Sequence, residues 1–298
     1  MIEIANVHQS FRTGFWMKQA TVLRDISFRI PARSVFGFLG ANGAGKTTLI
    51  QLMVGLREPT KGSILLEGVP CTHIESRAKI GYLPERPYFH EHLTGEKLLA
   101  YFGALSGMSS DAIKKRTPVV LAEVGMSHAG KMELKKYSKG MLQRIGIAQA
   151  ILHNPRFLVL DEPMSGLDPI GRKEMRELII RLGAEGRTVF FSSHVIPDVE
   201  AVCDQVVVIQ KGKIIGCGPI AELLEKGPLE TEVAFSGVDL KAAEKMGGFV
   251  SIKEIPEGLQ GLLSSQTEVN PALNQIIGAN GKVLWVNPLR PSLEDFFK

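Results

Sequence analysis

Gly40-Ala41-Asn42-Gly43-Ala44-Gly45-Lys46-Thr47-Thr48 is the stretch of sequence that decides the fold of this chain. A short apolar run, residues 34–39, precedes it, and residues 47–56 follow it with helical spacing. The stretch fits the pattern G-x-x-x-x-G-K-[ST], which forms a phosphate-binding loop between a strand and a helix. The sequence therefore predicts an α/β fold in which a buried strand, a P-loop and a helix follow one another.

Each part of this loop has a role toward a nucleotide. The glycines let successive backbone N–H groups turn toward the phosphates, and the helix that starts there adds the positive end of its dipole. Lys46 is expected to reach the β- and γ-phosphates, and the Thr47 hydroxyl is expected to ligate Mg²⁺. ATP and Mg²⁺ are the expected cofactors, although the P-loop alone leaves GTPases, kinases, helicases and transport ATPases open.

A second motif places two carboxylates at the end of a strand. The apolar run of residues 157–160 is followed by Asp161 and Glu162, at the sheet edge where ligands of open α/β sheets collect. Asp161 is expected to hold Mg²⁺ through water, and Glu162 is expected to act as the general base for the attacking water. A P-loop enzyme needs such an acid, so this pair favours hydrolysis over simple binding.

Composition and charge narrow the class of protein and its location. The chain has 298 residues, 44% of them apolar, and a formal charge of +4 without a block of like charge, so no nucleic-acid partner is expected. The three cysteines lack the spacing of a zinc site. The amino terminus lacks a secretory pattern, and no segment has the roughly 18 to 20 apolar residues of a spanning helix. We expect a cytoplasmic chain that reaches a membrane only through a partner.

The hydrophobic rhythm predicts two domains. Residues 1–225 are expected to form a nucleotide-binding domain, with an antiparallel β subdomain at the start and a helical subdomain at about 88–152. Strands at 157–160, 188–192 and 205–210 alternate with helical segments, which predicts a largely parallel sheet. Residues 230–298 are expected to form a small α+β domain of ferredoxin-like order, ending in a short helix.

Three further segments make the chain resemble the ABC ATPase family. Residues 137–144, YSKGMLQR, are similar to the signature loop of the family, usually Leu-Ser-Gly-Gly-Gln. Residues 165–169, SGLDP, match its D-loop, and residues 192–194, SSH, match its switch histidine. The resemblance covers roughly residues 1–220, and its motifs are specific as an ordered set.

The resemblance implies a composite site. Ser138 and Gly140 would contact the γ-phosphate held by a second copy of the chain, so that two copies close head to tail around two ATP molecules. His194 would sense the γ-phosphate, and Asp168 would link the two sites. The family also implies integral membrane permease subunits, which would hold the chain peripherally on the inner face of the plasma membrane. Tyr88 and Phe89 are candidate permease contacts, with a role in the subdomain core as the alternative.

The chain departs from the family pattern at the signature loop and the Q-loop. Lys139 replaces a glycine and Met141 replaces the glutamine, as in signatures of the drug, sodium and antibiotic exporter branch. Residues 292–295, SLED, resemble a segment that often ends ATPases of that branch. Glu85 stands where the family has the Q-loop glutamine; it is expected either to accept Mg²⁺ or water, or to be an exposed loop acid.

One aromatic residue and one loop leave alternatives open. Phe11 stands where the family places an aromatic ring that stacks on adenine, with a hairpin core residue as the alternative. The hairpin loop 12–19 carries Phe15 and Trp16, which either contact a partner or lipid headgroups, or pack locally. Two other functions also stay open for the chain: a soluble ABC ATPase acting on ribosomes or DNA, and a nucleotide-sensing regulatory subunit that barely hydrolyses ATP.

Overall fold

A computed structural model describes residues 1–13, 18–225, 230–264, 268–289 and 292–294. The chain divides into two compact units, Met1–Ile220 and Ala221–Lys298. No helix in the described part of the chain is long and apolar enough to cross a bilayer.

The first unit begins with a four-stranded antiparallel sheet. Its strands are β1 (Ile2–Thr13), β2 (Lys18–Ile30), β4 (Lys61–Leu66) and β5 (Val69–Pro70), in the order β2-β1-β4-β5. The β1–β2 hairpin was predicted, but its pairing continues to Thr13 and Lys18, beyond the predicted strand ends. Phe15 and Trp16 lie outside the described residues.

A six-stranded sheet forms the centre of the first unit. Its strands are β3 (Val35–Leu39), β6 (Ile80–Leu83), β7 (Phe157–Leu160), β8 (Thr188–Ser193), β9 (Gln205–Gln210) and β10 (Lys213–Pro219), in the order β10-β9-β3-β8-β7-β6. The neighbours from β9 to β6 are parallel, and β10 adds an antiparallel edge. Every residue of β3, β7 and β8 is buried, as expected for parallel strands covered on both faces. The predicted parallel sheet is confirmed.

Seven α-helices connect these strands in the described residues, and an eighth follows the last strand, β10. They are α1 (Lys46–Met53), α2 (Ile74–Arg77), α3 (Gly95–Leu105), α4 (Ser110–Glu123), α5 (Lys139–Ile151), α6 (Pro169–Ala184), α7 (Ile196–Val202) and α8 (Ile220–Glu225). Helices α3, α4 and α5 pack on one another as the predicted helical subdomain. Each of the three begins at a hydroxyl residue, Thr94, Ser109 or Ser138, whose side chain accepts an N–H three residues on.

Four phenylalanine rings lie in the hydrophobic core where the two sheets meet. The ring of Phe28, on β2, lies 5.9 Å from that of Phe36 and 6.4 Å from that of Phe38, both on β3. The ring of Phe190, on β8, lies 5.5 Å from that of Phe38. These contacts, with the buried face of α1, fix the carboxyl end of β3 from which the P-loop departs.

The second unit has the ferredoxin-like order that was predicted. Its elements are β11 (Thr231–Ser236), α9 (Leu240–Ala243), β12 (Phe249–Ile255), β13 (Gly258–Leu263), α10 (Val269–Gly278) and β14 (Lys282–Pro288). The strands are antiparallel in the order β12-β13-β11-β14, which is the arrangement of a split β-α-β fold. Its core includes Phe235, Leu263 and Ile276. The predicted last helix falls largely outside the described residues.

Candidate functional site

Close contacts that only glycine tolerates shape the two ends of the loop, at Gly40 and Gly45. The N–H of Gly40 donates to the carbonyl of Ser193 at 3.2 Å, which joins the loop to the end of β8. Gly45, at the start of α1, has φ +111°, and a Cβ there would lie 2.7 Å from Leu23 Cδ2. These glycines therefore let the loop turn tightly into the helix amino terminus, where an anion is favoured.

Lys46 is buried and its ammonium is held within the loop. Its Nζ donates to the carbonyl oxygens of Gly40 at 2.7 Å and Ala41 at 3.3 Å. It also lies 3.1 Å from Glu162 Oε1, although the pair lacks hydrogen-bond geometry. A buried cation requires such partners, and phosphate oxygens entering the loop would offer it better ones.

Ser192 connects the two acids at the end of β7. Its hydroxyl donates to Asp161 Oδ1 at 2.6 Å and accepts the backbone N–H of Glu162 at 2.9 Å. Burial raises the pKa of the Asp161 carboxyl, and the side chains of Ser192 and Thr47 lower it as hydrogen-bond donors. The charges of Glu162 and Glu85 raise the pKa of Asp161 further, so a nearby cation would favour its ionised form.

Glu162 is fixed by its backbone and by two side chains. Its φ is +49°, a left-handed conformation that costs a non-glycine residue about 1 to 2 kcal/mol. Its Oε2 lies 2.9 Å from His194 Nδ1, while its Oε1 faces Lys46. The carboxylate is therefore aimed between the P-loop lysine and the histidine, as a base acting at the γ-phosphate would be.

Lys46, Glu162 and His194 line one cavity of about 420 Å³ in front of the P-loop, whereas Asp161 and Ser192 lie behind its wall. Its lining combines the loop, the acids and the histidine: Val22, Asn42, Gly43, Gly45, Lys46, Thr47, Thr48, Glu85, Glu162, Ser165 and His194. The structure thus brings together most of the predicted nucleotide and metal residues, with Gly40, Ala41 and Ala44 forming the adjoining backbone. Glu85, whose role stays open, lies at the rim with its side chain 43% exposed.

The donor set beside this cavity fits a divalent cation. Asp161 is 1% exposed, and its Oδ2 has no hydrogen-bond partner among the described residues. A buried carboxylate oxygen without a donor is costly, and a hard cation with oxygen ligands relieves that cost. The Thr47 side chain lowers the pKa of the same carboxyl as a hydrogen-bond donor would, so the two groups are neighbours. Magnesium would therefore find a hydroxyl and a carboxylate together here.

The predicted signature and D-loop residues lie in a different cavity, of about 690 Å³. Ser138 begins α5 and accepts the N–H of Met141 at 3.2 Å, so its side chain caps the helix. Asp168 begins α6 and accepts the N–H of Gly171 at 2.8 Å. Gly140 lines the same cavity, which shares none of its lining residues with the P-loop cavity.

The side chain of Lys139 extends from the signature loop to the D-loop. Its Nζ occupies the space that a side chain at Gly166 would need, and Gly166 has φ +67°. The ammonium is exposed and lines the signature cavity. The residue that departs from the family pattern thus packs the signature loop against the D-loop.

Phe11 does not line the P-loop cavity in this structure. The guanidinium carbon of Arg57 lies 5.3 Å from the centre of its ring, a cation–π contact over one face. Val22, on the adjacent strand, contributes the apolar wall of the cavity instead. Stacking of Phe11 on adenine stays a prediction.

Ser192 and Val22 are site residues to which the sequence assigned no role. Ser192 is the last residue but one of a fully buried strand, beside the strand that delivers Asp161 and Glu162. The carboxyl ends of adjacent parallel strands lie at the same edge of a sheet, so a serine near the end of β8 is expected close to the acids that follow β7. This position is the signal that could have identified Ser192. Val22 carries no comparable signal, since it is one apolar residue in a strand full of them.

The fold and the site define a P-loop ATPase of the α/β class, and comparison with known proteins gives its family. Residues 23–165 match the family model described as ABC transporter. An ABC transporter ATP-binding protein of Nostoc sp. is 38% identical over 302 residues, covering 100% of this chain and 88% of the relative. The bacitracin transport ATP-binding protein BcrA of Bacillus licheniformis is 36% identical over 278 residues, covering 91% and 90%. The chain belongs to the family of ABC transporter ATP-binding proteins, which bind and hydrolyse ATP.

The fold of the first unit also matches solved structures. The ATP-binding subunit of an ABC transporter superposes with a TM-score of 0.65 and 28% identity, over 76% of this chain and 92% of the other. This match confirms the predicted ABC-type fold.

Proposed function

We propose that the chain is the ATP-hydrolysing subunit of an ABC exporter, working as a head-to-tail pair of copies on separate membrane subunits. One observation carries the proposal: the P-loop cavity and the signature cavity of one copy are separate. The first holds Lys46, Glu162 and His194, and the second holds Ser138 and Asp168. A second copy, turned head to tail, would bring its signature residues over the P-loop of the first.

The proposed chemistry follows from the groups around the P-loop. Lys46 and the loop N–H groups would hold the phosphates, and Thr47 and Asp161 would hold Mg²⁺, with Glu85 at the rim. Mg²⁺ would supply charge neutralisation at the phosphates. Glu162, oriented by its contact with His194, would take a proton from the attacking water. Ser138 and Gly140 of the second copy would complete the surroundings of the γ-phosphate.

Export and the membrane location rest on similarity and on one surface of the helical subdomain. The relative named for bacitracin transport supports an exporter, and so do Lys139 and Met141 in the signature loop. Tyr88 is 90% exposed and lies, with Phe89, in a cavity of about 450 Å³. This aromatic surface would receive a segment of the permease and hold the chain at the inner face of the plasma membrane.

Two further parts of the proposal concern the ends of the chain. Phe11 would stack on adenine after Arg57 moves from its ring, since stacking requires only a free aromatic face. Residues 1–225 would act as the motor domain, and residues 230–298 as an accessory domain. The ferredoxin-like order of that domain does not by itself select a function.

The base is tested by the replacement Glu162→Gln. We expect ATP hydrolysis to fall about 10²- to 10⁴-fold with ATP binding retained, because the amide cannot accept the proton. Glu67→Gln is the matched control: this acid pairs with Lys79 at 2.7 Å, far from the motifs, and should hydrolyse at the parent rate. Hydrolysis by Glu162→Gln at the parent rate would refute the assignment of the base.

Coupling to a membrane partner is tested separately. The purified chain should bind the permease encoded beside it, and its ATPase rate should change on binding. Replacing Tyr88 with Ala should weaken this association and leave the ATPase rate of the free chain unchanged. A parent chain that binds ATP but hydrolyses it negligibly, with or without the permease, would favour the nucleotide-sensing alternative. Association with ribosomes in place of a permease would favour the soluble ATPase.

A further inference from the structure

A buried carboxylate joins the two helices that follow the D-loop and the switch histidine. Asp198, on α7, is 1% exposed, and its Oδ2 accepts a hydrogen bond from Arg172 Nη1 at 3.2 Å. Its Oδ1 lies 3.2 Å from Nε of Arg176. Both arginines are on α6, so one carboxylate holds two successive turns of that helix. We name this group the Asp198 clamp, consisting of Asp198, Arg172 and Arg176.

The clamp connects groups that belong to different cavities. Helix α6 begins directly after its cap Asp168, which lines the signature cavity. Helix α7 begins two residues after His194, which lines the P-loop cavity. The turn between His194 and α7 is itself closed, since Ser193 Oγ accepts the N–H of Val195 at 3.0 Å. A shift of His194 would therefore be carried along α7 to the clamp and from there to α6.

The clamp is only half formed in this structure. The atoms Asp198 Oδ1 and Arg176 Nε are both buried, and they face each other without hydrogen-bond geometry. Leaving such a charged donor and acceptor unbonded is costly, and a small rotation of one helix against the other would align them. The energy of this pair therefore depends on how α6 and α7 lie against each other, which is the property that an element coupling two sites needs.

We propose that Asp198 is a positioning residue that couples the two ATP sites of the head-to-tail pair. Through Arg172 and Arg176 it ties His194, at the site bound by its own P-loop, to Asp168, which serves the opposite site. Occupancy of one site then sets the geometry of the other. The proposal rests on the paired arrangement of the proposed function. The Asp198 clamp then has two roles: it packs α6 against α7, and it contributes to cooperativity between the two ATP sites.

The test compares ATP hydrolysis as a function of ATP concentration for the parent and Asp198→Asn. With two coupled sites, the Hill coefficient of the parent lies between 1 and 2. For Asp198→Asn we expect it to fall to about 1 and kcat to fall about tenfold, a typical size for coupling between sites. The affinity of a single chain for a fluorescent ADP analogue should stay within about twofold of the parent, because no clamp residue lines the P-loop cavity.

Two more variants keep the test decisive. Asp204→Asn is the matched control, because this acid follows the same helix but accepts the N–H of Val35 and should keep the parent Hill coefficient. The double variant Arg172→Gln/Asp198→Asn replaces the ion pair with a neutral hydrogen-bonding pair. It removes one of the two arginine charges that Asp198→Asn leaves unpaired, so it should be more stable than Asp198→Asn, and it should also lose cooperativity.

The outcomes separate this inference from the proposed function. If folded Asp198→Asn or the double variant keeps the parent Hill coefficient and kcat, the inference is overturned while the proposed function stands. A lower melting temperature with an unchanged Hill coefficient also overturns it, since the clamp would then serve packing alone. A parent Hill coefficient of 1 overturns this inference while the proposed function stands, because there would be no coupling between sites to transmit.

Discussion

The replacement Ser192→Ala removes the hydroxyl that joins the two acids of the site. Its Oγ donates to Asp161 Oδ1 at 2.6 Å and accepts from the N–H of Glu162 at 2.9 Å, and the side chain is fully buried. Alanine fits the space but can make neither bond. The loss of the hydrogen bond to a charged carboxylate costs about 1.5 to 3 kcal/mol, and the orphaned N–H costs about 1 to 3 kcal/mol.

The two losses sum to about 2.5 to 6 kcal/mol in the free energy of unfolding, and relaxation of the site would lower this sum. A domain whose stability lies in the middle or upper part of the usual range of about 5 to 15 kcal/mol would stay folded after this loss, so the variant could then be purified and measured. The left-handed backbone at Glu162 should also relax, because Ser192 no longer holds its N–H. We therefore expect ATP hydrolysis to fall more than the melting temperature alone accounts for.

The same replacement has a defined pH dependence. Burial raises the pKa of the Asp161 carboxyl when the chain folds. The protonated carboxyl therefore stabilises the folded state below the ordinary pKa of 3.8, and this stabilisation is lost as the pH rises through the raised pKa. The bond from Ser192 lowers this pKa, so Ser192→Ala raises it further. The stability difference between parent and variant should therefore be smaller in acid, where the carboxyl is protonated and only the lost bond to the N–H of Glu162 counts fully, and it should grow toward neutral pH.

Urea denaturation of parent and variant between acid and neutral pH measures both effects. Ser193→Ala is the control: its buried hydroxyl bonds only within the turn to Val195, so its effect should be smaller and independent of pH over this range. The role given to Ser192 would be wrong if Ser192→Ala lowered the free energy of unfolding by less than about 1 kcal/mol at neutral pH. It would also be wrong if the loss were the same at acid and neutral pH.

Three other replacements have expected outcomes. Gly45→Ala should cost about 1 to 3 kcal/mol and weaken ATP binding, because φ is +111° and the new Cβ would lie 2.7 Å from Leu23 Cδ2. Gly43→Ala should cost only about 1 kcal/mol, since φ is +78° but no atom lies within 4 Å; equal thermal shifts for the two variants would contradict this reasoning. Tyr137→Phe should lower stability to urea by about 1 kcal/mol, because the hydroxyl donates to the buried carbonyl of Ala129 at 2.7 Å, and unchanged stability would contradict that role.

Local sequence patterns predicted the parts of the site that local structure determines. The P-loop between β3 and α1 and the acids after β7 follow from short spacings, in which a buried strand, glycines and a helix start are adjacent in the chain. The ferredoxin-like order of residues 230–298 was predictable for the same reason. Its alternating strands and its two helices each carry their own hydrophobic rhythm.

Strands β6 and β10 were not predicted, because their sequences resemble loops. β6 has four residues, and β10 is an exposed edge strand that contains two glycines and a proline. Such short or edge strands are stabilised by their neighbours in the sheet, and little in their own sequence indicates them. Their existence therefore depends on tertiary pairing that a single segment does not encode.

The contacts of the site that the sequence did not predict join residues far apart in the chain. Ser192 reaches Asp161 across 31 positions, and the Asp198 clamp crosses 26 positions from Arg172. The ring of Phe11 is covered by Arg57, which no spacing rule connects to it. These side chains meet only when the sheet and its helices have assembled, so motif spacing could indicate the acids and the histidine but not what orients them.

The central claim is that ATP is bound between two copies of the chain, and the mass of Glu162→Gln in solution tests it most directly. In saturating MgATP this variant should sediment at about twice the monomer mass of 32.6 kDa, and in MgADP it should return to the monomer. Adding Ser138→Arg, which places a large side chain at the signature cavity, should keep it monomeric in MgATP. A monomer for Glu162→Gln in saturating MgATP, or a dimer unaffected by Ser138→Arg, would contradict the account.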